Sequence, residues 1–364
     1  MSDLRNARQL KPAHCQLPVS WYVDDTVFAM EKKLFEAGPN YVGHELMVPE
    51  VGDYQTLAWM DHAKVLVRNA GGVELLSNVC RHRQSLLLEG RGRLANIVCP
   101  LHRWTYDLDG TLLGAPHFPD SPRVKLASTP LTRWNGLLFA AGPADPGAAL
   151  AGMDTSDWDF SGYVLERVMV EDYEVNWKTF IEVYLEVYHV DPYHPGLGNF
   201  TDCNQWRVHY GDDWSVQVVQ AKDGLGRPGT PVYRKWHEAC LKHLEGRAPK
   251  QGALWMTWFP GFMLEWYPNV RIVSQLIPRS PTRTTNVVEF YYPEEIALFE
   301  RGFVEAQQAA YVETAKEDDE ICRRMDRGRR ALWTQGLNDA GPYQSPMEDT
   351  MVHFHEWLRR RLGR

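Results

Sequence analysis

Hydrophobic and polar positions change their pattern along this chain, and the change predicts two parts of different architecture. From about residue 48 to residue 141, short hydrophobic runs of strand length are separated by Gly, Asp and Asn, which are typical turn residues. The predicted strands include residues 56–59, 65–68, 74–77 and 136–140. This part of the chain is therefore expected to form a small all-β unit.

A stretch rich in Gly, Pro, Ala and Asp follows at residues 142–157 and predicts a linker. The sequence beyond it has longer periodic segments. Strands are predicted at residues 164–174, 270–277 and 285–292, and helices at residues 177–188, 293–330 and 347–362. A second, larger domain that mixes helices and strands is expected here.

Two short segments in the β-rich part each carry one cysteine and one histidine. Cys80 is two residues before His82, and Cys99 is three residues before His102. A Rieske [2Fe–2S] cluster needs two thiolates on one iron and two imidazoles on the other. We therefore predict that Cys80 and Cys99 hold the inner iron and that His82 and His102 hold the outer iron.

A zinc site made of two cysteines and two histidines is the alternative. Such sites usually place Cys two to four residues from Cys, and His three to five residues from His. Neither spacing occurs in these two segments. The ligand pattern therefore favours the cluster over zinc.

A second set of candidate metal ligands lies at the end of the helix predicted at residues 177–188. Glu186 and His189 are three residues apart, so on a helix they would share a face. Pro192 is expected to break that helix, and the break would let His194 turn back toward His189. Two imidazoles and one carboxylate form the facial triad of non-haem Fe(II) sites.

These segments resemble those of the Rieske non-haem iron oxygenases, the aromatic-ring-hydroxylating dioxygenase alpha-subunit family in its homotrimeric form. Residues 99–110 read CPLHRWTYDLDG, which is similar to the family's Cys-Pro-Tyr-His-Gly-Trp segment and the Asp-Gly turn that follows it. Residues 186–194 match the family pattern acid-x-x-His-x-x-x-x-His. The resemblance covers nearly the whole chain, from about residue 21 to residue 362.

The resemblance implies an α+β fold. The N-terminal part would be a Rieske all-β domain, and the C-terminal part a catalytic domain whose antiparallel sheet wraps around helices in a helix-grip-like arrangement. The expected boundaries are residues 1–40 for an N-terminal segment packed on the catalytic domain, 41–145 for the Rieske domain, 146–162 for the linker and 163–364 for the catalytic domain.

The resemblance also implies roles for two acidic residues. Residues 317–322 read EDDEIC and match the family's Glu-Asp-x-x-x-Cys element, whose Asp is the third iron ligand. That match gives Asp318, with Asp319 as the alternative. In the family's head-to-tail trimers, or dimers of such trimers, Glu186 would bridge His102 of one subunit and His189 of the next.

The sequence departs from the family pattern at three positions. Gln84 and Arg103 stand where the two cluster loops usually have Gly, and Val183 stands where many relatives have Asn. The first two changes bear on the conformation of the loops and on recognition of the electron donor rather than on ligation.

Composition excludes several classes of function. The net charge is −8 and both signs are spread along the chain, so no nucleic-acid partner is expected. Residues 1–17 lack the apolar core of a secretory signal, and no stretch approaches the roughly 18 apolar residues of a membrane span. The cysteines outside the cluster show no disulfide framework. A cytoplasmic protein without a membrane partner is therefore expected.

The electrons for an oxygenase would have to come from outside this chain. The sequence has no Gly-x-Gly-x-x-Gly fingerprint for a nicotinamide or flavin domain. It also has no second cysteine group with plant-ferredoxin spacing. A separate NAD(P)H-dependent reductase or ferredoxin is therefore the expected partner.

Together these patterns predict a terminal oxygenase that uses O2 to monooxygenate or demethylate a small organic substrate. One alternative is cis-dihydroxylation of an aromatic ring. The other, of a different class, is an electron-transfer or zinc-stabilised protein without oxygenase chemistry. Substrate identity, the electron donor and the choice between trimer and hexamer stay open.

One aromatic-rich segment bears on the substrate. It contains Glu265 among the aromatic residues Trp255, Trp258, Phe259, Phe262, Trp266 and Tyr267. It could form a pocket wall, in which an aromatic cage and a carboxylate bind a quaternary ammonium. The favoured interpretation is that these residues belong to the core of a sheet.

Overall fold

The structure is a computed structural model that describes residues 15–142, 145–247, 249 and 251–363. The chain divides into two compact units. One contains residues 39–148, and the other joins the described residues before 39 to those from 149 onward. None of the helices in the described ranges has the length and apolar character needed to cross a membrane.

The first unit is built from short antiparallel strands. They form a three-stranded sheet in the order β1-β11-β10, a five-stranded sheet in the order β5-β2-β3-β4-β9 and a three-stranded sheet in the order β6-β7-β8. The strands are β1 (Tyr41–His44), β2 (Asp53–Thr56), β3 (Lys64–Asn69), β4 (Gly72–Ser77), β5 (Arg91–Arg93), β6 (Ile97–Val98), β7 (Thr105–Tyr106), β8 (Leu112–Gly114), β9 (Ser128–Thr129), β10 (Leu131–Trp134) and β11 (Leu137–Ala140).

The second unit contains one seven-stranded antiparallel sheet in the order β12-β18-β17-β16-β15-β14-β13. Its central strands β15 to β18 are almost continuously buried, as expected for a sheet with both faces covered. The strands are β12 (Tyr163–Tyr173), β13 (Thr201–Tyr210), β14 (Trp214–Ala221), β15 (Ala253–Trp258), β16 (Phe262–Tyr267), β17 (Val270–Ser280) and β18 (Arg283–Pro293).

A long helix, α9, covers this sheet. Its residues Phe303 and Val304 share one hydrophobic core with Ile272, Val288 and Phe290 of the sheet. Helices α4 and α7 pack against α9. The helices are α1 (Ser20–Val23), α2 (Asp25–Ala37), α3 (Pro146–Ala149), α4 (Trp177–Leu185), α5 (Val190–Tyr193), α6 (Leu197–Phe200), α7 (Pro231–His243), α8 (Glu294–Phe299), α9 (Arg301–Thr334) and α10 (Asp349–Leu362). The all-β unit and the sheet wrapped on helices confirm the predicted α+β fold.

Three predicted elements differ from the structure. The strand expected at residues 56–59 ends at Thr56, and Ala58–Met60 form a 3₁₀ turn. The helix expected at residues 293–330 is two helices, because Glu300 has the non-helical angles φ −117° and ψ 56°. The third difference lies next to the candidate iron ligands.

Helix α4 ends at Leu185, so the prediction that Glu186 and His189 share a helical face was wrong. Glu186 is extended, with φ −117° and ψ 147°. Its carboxylate accepts the backbone N–H of His189 at 3.0 Å, and such local capture of a backbone donor competes with helix formation. Pro192 does not break a helix but lies inside α5, in the first turn, where no N–H donor is needed.

Candidate metal centres and substrate pocket

The two loops that carry the predicted cluster ligands close in the same way. The backbone N–H of Cys80 donates to the carbonyl of Ser85 at 2.9 Å, and that of Cys99 donates to the carbonyl of Trp104 at 2.8 Å. Both cysteines are buried free thiols. The matched loops therefore present one sulfur each from equivalent positions.

Both loops contain a non-glycine residue with a left-handed backbone. Gln84 has φ 54° and Arg103 has φ 60°, and their N–H groups donate to the carbonyls of Cys80 at 3.2 Å and Cys99 at 3.1 Å. Glycine adopts this conformation without a steric penalty, whereas other residues lose roughly 1–2 kcal/mol. The loops therefore keep their turn at the two positions where the family usually has Gly, at an energetic cost.

The two imidazoles of these loops lie side by side. The ring centroids of His82 and His102 are 4.8 Å apart, and His82 stacks on Trp104 with an interplanar angle of 5°. The Nδ1 atom of His82 is buried, with no hydrogen-bond partner among the described residues. A buried nitrogen without a partner costs free energy, so a bound iron would satisfy it.

Tyr106 adds a polar contact to this centre. Its hydroxyl lies 3.3 Å from Sγ of Cys80 and accepts the backbone N–H of Arg81 at 3.1 Å. Burial, followed by the contact with Cys80, raises the pKa of Tyr106, so the phenol keeps its proton. A protonated phenol can donate to a cluster thiolate and thereby tune the potential of the cluster.

His189, His194 and Asp318 come together in the second unit. His189 precedes the short helix α5, His194 follows it, and Asp318 lies on α9. The Nε2 atoms of the two imidazoles are 3.0 Å apart, and Oδ1 of Asp318 lies 3.0 Å from Nε2 of His194 and 3.5 Å from Nε2 of His189. One ligand atom from each residue lies within 4.8 Å of the others. This is the donor set of a facial triad for Fe(II).

The neighbouring carboxylate, Asp319, points elsewhere. Its two carboxylate oxygens, Oδ1 and Oδ2, accept the Nε–H of Arg323 at 2.8 and 2.9 Å. Burial would raise the pKa of Asp318, but hydrogen bonds from His189 and His194 lower it to about 2. Asp318 is therefore ionised, as a metal ligand must be.

The other ring nitrogen of each histidine faces a second carboxylate. Nδ1 of His189 lies 2.5 Å from Oε1 of Glu186, and Nδ1 of His194 lies 2.7 Å from Oε2 of Glu317. Carboxylates in this position fix the tautomer of a metal-bound imidazole, so that Nε2 carries the lone pair. Sequence reasoning assigned no role to Glu317, although its place directly before Asp318 was a usable signal.

A cavity opens beside these residues and includes part of the aromatic-rich segment. Trp255, Glu265 and Tyr267 line it together with His189, His194 and Asp318. Phe259 instead packs in a hydrophobic core with helices α4 and α10. Trp255 and Tyr267 are also buried members of the hydrophobic core on the sheet, so the favoured interpretation as sheet core holds for them, and their exposed edges border the cavity as well.

Glu265 is a carboxylate buried in the wall of this cavity. It is 4% exposed and accepts the hydroxyl of Tyr267 at 2.8 Å, and that hydroxyl accepts Nε1–H of Trp255 at 2.9 Å. Burial raises the pKa of Glu265 to about 7. Its hydrogen-bond donor in the described part of the chain is the neutral phenol of Tyr267 rather than a basic side chain, so a cationic ligand would stabilise this carboxylate strongly.

Two other polar groups of the cavity wall were missed by the sequence analysis. The hydroxyl of Tyr184 and Oδ1 of Asn286 are buried, and within the described ranges neither has a hydrogen-bond partner. Both residues line the cavity. Tyr184 lies on α4, two residues before Glu186, and Asn286 lies on β18, far from the motifs. Only the fold shows that both border one cavity.

Both parts of the chain match known families. Residues 39–130 match the Rieske [2Fe-2S] domain, and residues 159–364 match the ring hydroxylating alpha subunit (catalytic domain). The second match covers more than half of the chain. The protein is therefore a Rieske-type non-haem iron oxygenase.

Two relatives and one solved structure show which oxygenases this chain is similar to. The chain is 59% identical to putrescine 2-hydroxylase from Ralstonia nicotianae over 362 residues, which is 99% of each chain. It is 52% identical to putrescine 2-hydroxylase from Bordetella bronchiseptica, covering 100% of this chain and 88% of the relative. A quaternary ammonium Rieske monooxygenase has a similar fold, with a TM-score of 0.75, 18% identity and 95% coverage of both chains.

This chain thus belongs to the ring-hydroxylating alpha-subunit family and is a terminal oxygenase that monooxygenates a small substrate. Its cofactors are a Rieske [2Fe–2S] cluster and a mononuclear iron. The predictions of the family, the enzyme class and the cofactors are confirmed. When bound, the mononuclear iron activates O2 and the cluster supplies electrons to it.

Proposed function

We propose that this oxygenase hydroxylates C2 of putrescine, a short aliphatic diamine. The observation that carries the proposal is the buried carboxylate of Glu265 in the cavity next to His189, His194 and Asp318. Two relatives, 59% and 52% identical to this chain, are putrescine 2-hydroxylases. Their names are the reason why putrescine is chosen among the short diamines. The reaction consumes putrescine, O2, two electrons and two protons, and yields 2-hydroxyputrescine and water.

The chemistry of the cavity supports a primary ammonium. Both ends of putrescine are cationic at neutral pH, because primary amines have a pKa near that of Lys, about 10.4. Glu265 supplies the opposite charge in a place with little water, where such a pair is strongly favoured over a lone carboxylate. A neutral hydrocarbon in the same cavity would leave that carboxylate buried without a counter-charge.

The roles of the ligand residues are part of the same proposal. Cys80 and Cys99 would hold the inner iron of the cluster, and His82 and His102 the outer iron. Two matched loops with buried sulfurs support this assignment.

The second centre is assigned in the same way. His189, His194 and Asp318 would hold the mononuclear iron, and the distances between their ligand atoms support this. Glu317 and Glu186 would hold the two imidazoles from behind.

The assembly and the electron donor are proposed as well. The quaternary ammonium Rieske monooxygenase with a similar fold is described as transferring electrons between subunits. Transfer of this kind supports a cyclic trimer, or a dimer of trimers, for this chain. Glu186 would then carry the contact from His102 of one subunit to His189 of the next. A separate NAD(P)H-dependent reductase or ferredoxin would reduce the cluster. A cytoplasmic location is supported by six cysteines that are all free thiols.

A single-turnover assay tests the substrate. Iron-loaded, chemically reduced protein is mixed with O2 and with putrescine, choline or benzoate, and products are identified by mass spectrometry. We expect 2-hydroxyputrescine from putrescine, and a loss of at least about tenfold in the single-turnover rate at low putrescine concentration for the matched variant Glu265→Gln. Formaldehyde from choline, or a cis-diol from benzoate, without any product from putrescine would overturn the proposal.

A further inference from the structure

The cavity wall carries a second polar group at a distance from Glu265. Asn286 lies on β18 and pairs with Leu276 of β17, whereas Glu265 lies on β16 and pairs with Ile272 of β17. Ile272 and Leu276 are four residues apart on one strand, so both pairs point to the same face of the sheet. Asn286 and Glu265 therefore both line the same cavity.

The register gives the span between these two residues. Four residues along a strand correspond to about 13 Å, and two strand spacings to about 10 Å. The Cα atoms of Asn286 and Glu265 are thus roughly 16 Å apart, and each side chain can lean along the face by a few ångströms. An extended 1,4-diamine measures roughly 6 Å between its nitrogens, and two N–H···O bonds of about 2.9 Å lengthen it to about 12 Å.

The side-chain oxygen of Asn286 lacks a hydrogen-bond donor within the described ranges. Its side chain is 2% exposed, and Oδ1 has no hydrogen-bond partner in the described ranges. Buried carbonyl oxygens of this kind are rare because they forgo a hydrogen bond to water. An N–H donor from a ligand in the cavity would restore it.

A second oxygen, besides the carboxylate of Glu265, could accept a hydrogen bond from an ammonium bound there. The hydroxyl of Tyr184 is buried and also unpartnered in the described part of the chain. Burial and the charge of Glu265 raise the pKa of Tyr184 well above its usual value, so the hydroxyl stays protonated and lies within the field of that carboxylate. A primary ammonium has three N–H donors, enough for both oxygens, whereas a quaternary ammonium has none.

Asp318, one of the predicted iron ligands, lies on α9 between residues that are linked to the two ends. Along α9, Tyr311 and Asp318 both interact electrostatically with Glu265. Asp318 follows Tyr311 by seven residues, and Cys322 follows Asp318 by four. Cys322 packs with Tyr173, whose partner on β18 is Thr284, two residues from Asn286. Asp318 is therefore about 10 Å along the helix from Tyr311 and about 6 Å from Cys322. The reacting carbon would lie nearer the Asn286 end.

We propose that Glu265 and Asn286 form the two ends of an α,ω-diamine site, so that Asn286 binds the amine nearer the hydroxylated carbon and selects diamines over monoamines. This inference rests on the proposed function. The position of Asp318 nearer one end accounts for attack at C2, because C2 is the second carbon from the amine that Asn286 binds.

The test compares putrescine with n-butylamine, which lacks one amine. Wild type, Asn286→Ala and Asn286→Asp are assayed in parallel, with iron content, cluster absorbance and thermal midpoint measured for each. We expect Asn286→Ala to lower kcat/KM for putrescine about 10- to 100-fold and to change that for n-butylamine less than about threefold. Asn286→Asp, which keeps an acceptor at this position, should restore selection for the diamine.

The outcomes separate the two proposals. An equal fall for putrescine and n-butylamine in Asn286→Ala, with no recovery in Asn286→Asp, would mean that Asn286 only supports the fold and would overturn this inference alone. Wild-type protein that hydroxylates no diamine would overturn the proposed function, and this inference with it. Wild type that hydroxylates n-butylamine as well as putrescine would overturn the two-ended site while leaving amine hydroxylation in place.

Discussion

Oε2 of Glu317 lies 2.7 Å from Nδ1 of His194, while Nε2 of the same imidazole faces Oδ1 of Asp318 at 3.0 Å. Glu317 therefore holds the ring from the side opposite the predicted iron. His194 is almost fully buried, and Glu317 is 27% exposed. The arrangement repeats that of Glu186 and His189, so each histidine of the triad is held between two carboxylates.

Glu317→Ala should weaken iron binding about 10- to 100-fold, because the imidazole of His194 loses the acceptor that fixes its tautomer. The measurement is the iron retained by the mononuclear site during dialysis against graded concentrations of a chelator. Glu317→Gln keeps an oxygen acceptor and should retain more iron than Glu317→Ala.

Glu320→Ala is the matched control for this experiment. It removes an acid from the same helical run, but Glu320 is 59% exposed and its side chain pairs with Arg324 at 2.6 Å rather than with a predicted iron ligand. Its iron retention should equal that of wild type. If Glu317→Ala also retained iron like wild type, the carboxylate behind His194 would have no role in the site.

Glu186→Gln should leave both metal centres loaded and slow the transfer of electrons between subunits. The side chain accepts the N–H of His189 at 3.0 Å and contacts its Nδ1, so a neutral amide would perturb the proposed bridge without removing an iron ligand. Reduced protein is mixed rapidly with O2 and substrate. The rate at which the absorbance of the oxidised cluster returns measures this step. A wild-type rate of cluster oxidation and product formation would contradict the bridge.

The grouping of the candidate cluster ligands, and that of His189 with His194, could be predicted from sequence because each grouping is local. Each cluster loop carries both of its ligands within four residues, and His189 and His194 flank one short helix. The backbone between them was predicted less well. The sequence suggested a helix through Glu186, but the capture of the His189 N–H by that side chain ends the helix at Leu185.

The polar groups of the cavity wall could be predicted only in part, because they come from separate elements: the sequence offered Glu265 as the carboxylate of a possible pocket, but not Tyr184 or Asn286. Tyr184, Glu265 and Asn286 lie on α4, β16 and β18, and only the pairing of the strands brings them to one cavity. The aromatic residues around Glu265 follow the alternation of a sheet. That pattern is the same whether the face packs on a helix or borders a ligand.

Binding of putrescine should weaken as the pH falls below about 7. Burial raises the pKa of Glu265 to about 7, so this carboxyl is neutral at lower pH and loses its attraction for an ammonium, whereas the amines stay charged throughout. The measurement is KM for putrescine between pH 6 and about 8.5. Glu265→Gln should have a high KM that does not change over this range, and a parallel rise in KM for wild type and variant would assign the titration to another group.

The same shift predicts an effect on stability. The folded pKa of Glu265 lies above the value of about 4.5 expected when the chain is unfolded. The folded state therefore binds the proton more tightly, and this contribution to stability is lost as the pH rises from about 4.5 through about 7. Glu265→Gln should be more stable than wild type at pH 8 by about 1–3 kcal/mol and about equal near pH 4.5.

Glycine at the left-handed positions of the cluster loops should stabilise the first unit. Gln84→Gly and Arg103→Gly each remove the steric penalty of a positive φ, and the greater entropy of unfolded glycine offsets part of the gain, which leaves roughly 0.5–1 kcal/mol. Thermal unfolding, followed by the visible absorbance of the cluster, measures this change. Arg83→Gly is the control, since Arg83 is not among the residues with positive φ, and it should not stabilise the unit.

Lys178→Met should destabilise the second unit strongly, because it leaves Glu31 as a buried charge. Nζ of Lys178 lies 2.7 Å from Oε1 of Glu31, and both side chains are 0% exposed. Removing one member of such a pair typically costs about 3–5 kcal/mol, whereas removing both charges costs far less. The double variant Lys178→Met with Glu31→Gln keeps an acceptor for Nε1–H of Trp177, which donates to Glu31 at 2.8 Å.

Chemical unfolding of the single and double variants separates charge from packing. If the buried charge dominates, the double variant should recover most of the stability that Lys178→Met loses, whereas loss of packing around the lysine stem would leave both variants equally weak. Arg301→Ala, which removes an exposed partner of Glu166 and Glu305, should change the free energy of unfolding by less than about 1 kcal/mol. Because Glu31 lies on α2 and Lys178 on α4, the pair connects α2 to the helix that leads into the predicted iron site. A stable double variant with normal turnover would show that the ion pair itself is not needed to hold these two helices together, and that the loss in Lys178→Met comes from the unpaired charge of Glu31.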